Sequence, residues 1–131
     1  MMTKEQHIEY WLKSAEDDWD AVHQLFSGRK YIHALFFAHL TLEKILKAHW
    51  VKDNEINTPP KIHNLSWIIK QTSLKMEDDE TDFLELMNAF QLQGRYPDYS
   101  RKIHQTFNES RTKEILDQTE NLKKCLLNKL Q

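Results

Sequence analysis

Backbone breakers are scarce in this chain: 2 glycines and 3 prolines among 131 residues. Gly28 and Gly94 stand far apart, so there is no Gly-rich loop of the P-loop or Rossmann kind. Cys125 is the lone cysteine, which excludes an intrachain disulfide and a cysteine-based zinc site. Its place in a helical pattern reads as a small hydrophobe, buried or partly exposed. No apolar run approaches the ~20 residues that span a bilayer. The first residues, Met1 to Gln6, lack the apolar stretch of a signal peptide. No membrane association and cytoplasmic residence are therefore the default expectations. An excess of one charge is missing as well. Lys and Arg number 18 against 20 Asp and Glu, a net −2, which excludes coating nucleic acid by bulk charge while leaving room for a local basic groove. The 7 histidines are scattered, with no His-x-x-x-His carrying a zincin glutamate. No metal and no cofactor are expected.

What remains is helix. Hydrophobic residues make up 40% of the chain, enough for one core, and the expectation is a single domain over 1–131. Ile8, Leu12, Ala15, Trp19, Val22 and Phe26 step by threes and fours. They predict a helix from Thr3 or Lys4 to Ser27, opened by a Thr3–Gln6 capping box and closed at Gly28. A second helix runs from about Lys30 to Lys52 on Tyr31, Leu35, Ala38 and Leu42. Phe36, Phe37, Leu40 and Trp50 add apolar area outside that stripe, so it is expected to be covered on two sides. Pro59 and Pro60 force a loop before a short helix from about Asn64 to Thr72. The acidic run Glu77 to Glu80 suits a helix start, and that helix ends by Gly94. A loop of roughly fifteen residues follows, then a last helix from about Arg111. The fold class is all-α: an up-and-down helical bundle of four main helices plus one short helix.

Three segments in order carry a family resemblance. The first is Ala38-x-x-x-Leu42-Glu43-Lys44-x-Leu46-Lys47-Ala48. The second is His63-x-Leu65, after the Pro59-Pro60 loop. The third is Arg95-Tyr96-Pro97, which follows Gly94. Together they resemble the HEPN domain family (higher eukaryotes and prokaryotes nucleotide-binding) over nearly the whole chain. The resemblance implies a helical bundle, usually a homodimer, similar to the substrate- or nucleotide-binding partner of small nucleotidyltransferases in toxin–antitoxin-like pairs. Some members are metal-independent ribonucleases with an arginine and, four to six residues on, a histidine. This chain departs from that pattern. Eight residues separate Arg95 from His104, two separate Arg101 from His104, and no histidine follows Arg111.

Candidate residues fall into two groups. Around the Gly94 break, Arg95 offers a fork of donors suited to phosphate, or else a salt bridge to Asp98 or Glu43. Tyr96 and Tyr99 can stack on a base or plug the bundle with a bonded hydroxyl. On the second helix, His39, Glu43 and Lys47 lie at i, i+4 and i+8 and share one face. They form either a phosphate-handling site with a general base or a polar ladder partly buried against the Arg95 loop. Lys44 points away from that row and is expected in solvent. His63 either lines an anion site or packs locally, with Asn64 as the helix cap. If the chain cleaves RNA, the catalytic candidates are Arg95, His104 and His63. The leading expectation is a nucleotide-binding partner module with little catalysis of its own. The alternatives are a ribonuclease toxin and a purely structural dimer.

Overall fold

A computed structural model describes the backbone of residues 1–95 and 102–130, with side chains apart from those of 92–95, 102 and 103. Among the described residues six helices follow one another: α1 (Lys4–Ser27), α2 (Tyr31–Asp53), α3 (Leu65–Ile69), α4 (Asp78–Arg95), α5 (Lys102–Thr106) and α6 (Glu109–Asn128). No strand occurs among the described residues. The fold is the expected all-α bundle, with one more short helix than expected. α5 lies within the stretch read as a fifteen-residue loop. α6 begins before Arg111, because the Asn108 side chain caps the Arg111 N–H at 2.9 Å.

Hydrogen bonds between elements fix their directions. Lys4 Nζ donates to the carbonyls of Val51 and Asn54, so the start of α1 meets the end of α2 and the two run antiparallel. Ser73 donates to Asp53 at the end of α2. Farther on, Asn88 accepts from the Leu65 N–H, so α4 climbs back along α2. His49 bonds to the Leu126 carbonyl and Lys52 reaches that of Lys129, which sets α6 parallel to α2. The path is up-down-up-down, and the other long helices gather around α2.

The composition of α2 explains its central place. Ala34, Leu35, Ala38, Leu42, Leu46, Ala48 and Val51 are fully buried, and they point in several directions around the axis. A helix apolar on more than one face must be enclosed. Phe90 and Met87 from α4 and Ile115 and Leu126 from α6 close the core. Phe107 meets Phe90 edge-on with ring centroids 5.0 Å apart, pinning the start of α6 to α4.

The helix ends follow local chemistry. Thr3 and Gln6 form the expected capping box, with bonds of 2.9 and 3.1 Å. The end of α1 holds a surprise. Gly28 has an ordinary φ of −82°, and the left-handed residue is Arg29, at φ 62°. Lys30 N–H bonds Leu25 O at 2.8 Å and Arg29 N–H bonds Phe26 O at 3.0 Å. This is a Schellman closure with arginine where glycine is usual.

Candidate functional site

The face His39–Glu43–Lys47 exists, and it turns inward. Their side chains are 0, 5 and 7% exposed, so none offers a direct contact to a ligand in solvent. Their polar ends meet one another instead, on the alternative of a buried polar ladder. Lys47 Nζ lies 2.9 Å from Glu43 Oε2 and 5.5 Å above the centre of the Trp11 ring on α1, a cation–π contact. The helical register makes the Glu43–Lys47 pair automatic, since i and i+4 stack on one side. Trp11 from α1 covers it.

His63 is the member that opens outward. The Pro59-Pro60 loop returns the chain along α2, and Asn64 caps α3 by accepting from the Trp67 N–H at 3.0 Å. His63 is thereby placed over Glu43. Its Nδ1 lies 3.1 and 3.2 Å from the two carboxylate oxygens, while its side chain stays 44% exposed. A carboxylate only accepts, so Nδ1 carries the proton and Nε2 of the neutral ring holds the lone pair. Glu43 thus receives donors from Lys47 and His63 together, which satisfies a buried carboxylate.

His39 holds the same loop from below. Its Nε2 donates to the His63 carbonyl at 2.9 Å. That fixes Nδ1 as the lone-pair nitrogen, 3.8 Å from Glu43 Oε1 and without a hydrogen-bond partner among the described residues. Burial pushes the His39 imidazole below its ordinary range, against the opposing pull of the Glu43 charge and the His63 carbonyl. Asn88 completes the frame from α4 by accepting from the Leu65 N–H at 2.8 Å.

The other candidates fare differently. His104 sits half-buried on α5, and among the described residues no hydrogen bond or ion pair joins it to the His63 group. Arg95 is the last residue of α4, but its side chain, Tyr96 and Tyr99 lie outside the described residues, so the structure does not bear on their roles. Lys44, expected in solvent, is instead anchored to α1. Its Nζ is 2.7 Å from both Asp18 Oδ2 and Ser14 Oγ, because the α1–α2 packing brings an acidic turn against it. Sequence reasoning missed Trp11 and Asn88. Trp11 falls off the Ile8–Leu12 stripe, and nothing local marks Asn88 as a loop anchor. Among the described residues no group of three or more His, Cys, Asp or Glu is arranged to hold a metal ion. None of the described helices is long and apolar enough to cross a membrane.

The molecule is thus an up-and-down helical bundle built around one enclosed helix, whose buried carboxylate grips a histidine from the following loop. The family model of the HEPN domain matches residues 8–130, and the chain belongs to the HEPN domain family. No curated protein and no solved structure matches it.

Proposed function

We propose that this chain is a nucleotide-binding module that works beside a small nucleotidyltransferase, with His63 as the described residue that meets the ligand. Family membership supports nucleotide-binding or ribonuclease-like roles. The observation that carries the reading is the half-exposed His63 ring, oriented through Nδ1 by Glu43. An imidazole held in one tautomer presents Nε2 as a fixed acceptor, or as a cation once protonated, to a nucleotide's hydroxyl or phosphate. Glu43, Lys47 and His39 position that ring from within, and Arg95, Tyr96 and Tyr99 remain candidates for the rest of the contact. The partnership with a nucleotidyltransferase and the homodimer are part of the proposal.

Calorimetry with ATP and GTP tests the module. Saturable heat from the wild type, lost in His63→Ala, is expected. No heat at millimolar ligand would remove nucleotide binding and leave the structural dimer. Co-purification with a nucleotidyltransferase encoded next to it tests the partner.

The same tautomer favours a second reading, RNA cleavage. Nε2 of a carboxylate-oriented histidine is built to take a proton from a ribose 2′-hydroxyl. Incubation with RNA in EDTA separates the readings. Cleavage lost in His63→Ala supports the nuclease, and intact RNA supports the binding module.

A further inference from the structure

A furrow runs between α1 and α6. Both helices pack on α2, and between them run two clefts of about 200 and 370 Å³ that both include Trp19 in their walls. The floor is apolar: Val22, Ile45, Leu116 and Leu127 beside Trp19. On α1 the walls reach from Leu12 to Phe26, and on α6 from Lys113 to Leu127. Each span is fourteen residue steps, or about 21 Å at 1.5 Å per residue. Two clefts that meet at Trp19, set along that length between two helices, offer a seat for a third.

Charge selects the occupant. On α6, Lys113 is paired with Asp117 and Lys124 with Glu120, and Lys123 lies over the Trp19 ring at 5.6 Å. On α1, Glu9 is paired with Lys13 and Asp18 with Lys44. Glu16 and Asp20 line the furrow, are exposed, and have no ion pair among the described residues. One turn apart, they form an acidic edge that outnumbers Lys123, the cation lining the same cleft. A second copy laying its own α1 in the furrow would set Glu16 and Asp20 against their twins, which like-charge contact disfavours.

We propose that the α1–α6 furrow docks an amphipathic helix of a different protein, about fourteen residues long, apolar on one side and carrying Lys or Arg along the edge that meets Glu16 and Asp20. This deepens the reading of the chain as a partner module, and it stands apart from nucleotide binding at His63. The nucleotidyltransferase reading supplies one candidate owner of such a helix.

The test uses two synthetic sixteen-residue helical peptides with the same leucine face, one with lysines along the edge and one with glutamates. The probes are the Trp19 indole and Val22 amide signals in nitrogen-15 NMR spectra of the full chain at low salt. The lysine peptide is expected to shift both signals saturably. The glutamate peptide should bind about fivefold or more weakly, since two exposed pairs contribute roughly 0.5 kcal/mol each. Reversing the edge with Glu16→Lys and Asp20→Lys, both at exposed positions, should invert the preference. No shift from the lysine peptide, equal binding of both, or no inversion in the reversed variant overturns the proposal. So does self-association, seen by sedimentation, that protects Trp19. Because His63 is not involved, loss of nucleotide heat with retained peptide binding separates failure of the ligand reading from failure of this one.

Discussion

At the scale of single residues, Glu43 has the largest consequences. It is the acceptor for both Lys47 and His63, so removing it leaves an ammonium buried without a counter-charge. Glu43→Ala is expected to cost about 3–5 kcal/mol of stability, read as a fall in the urea midpoint. Glu43→Gln combined with Lys47→Met should cost much less than the sum of the single changes, because no lone charge remains. A second expectation concerns pH. Burial lowers both His39 and His49, the latter against the pull of its bond to the Leu126 carbonyl. Their protons are bound more readily in the unfolded chain, whose histidines titrate near ~6.5. The stability from keeping these rings neutral is therefore present above that pH and lost as pH falls toward the folded values. The denaturation midpoint should drop between pH 7.5 and 5.5, and the drop should shrink in His39→Gln. An unchanged pH dependence in that variant would exclude His39 as a source. Of this site the sequence shows the α2 half plainly, since His39, Glu43 and Lys47 share a face by arithmetic. It does not show that the face turns inward. That depends on Trp11, which leaves no local pattern, and on the path by which the Pro59-Pro60 loop brings His63 over Glu43 from twenty residues away.

Among the elements, helix ends offer the clearest tests. Arg29 holds a left-handed conformation at the close of α1, which disfavours a residue with a Cβ by about 1 kcal/mol. Arg29→Gly should raise stability by roughly 0.5–1 kcal/mol, measured as a higher thermal midpoint. Gly28, at negative φ with 3.4 Å from an added Cβ to the Gln24 carbonyl oxygen, should accept alanine with little loss. A sequence reader assigns the special conformation to the glycine, and here the neighbour has it. Asn108→Ala removes the α6 cap and should cost about 1 kcal/mol. The long helices α1, α2 and α4 are legible to within a residue or two because their apolar periods are long and glycine, proline or an acidic run marks most of their ends. α5 is five residues long, too short for a period to declare itself, so its stretch reads as loop.

For the molecule as a whole, the arrangement is three long helices around a fourth. Hydrogen exchange should reflect this. The amides in the middle of α2 are expected to exchange only through global unfolding, while the short α3 opens at lower free energy. Mid-α2 amides that exchange as fast as those of α3 would contradict the hub arrangement. The central helix also sets a schedule for synthesis. α1 and α2 leave the ribosome first and can pair as a hairpin, but His49 waits for a carbonyl 77 residues downstream. At about 5–20 residues per second, that wait is roughly 4–15 s. Throughout it, the sides of α2 that later meet α4 and α6 remain uncovered. The nascent hairpin is thus a natural client for a chaperone, and slowing translation between Asp53 and Glu109 should lengthen its exposure.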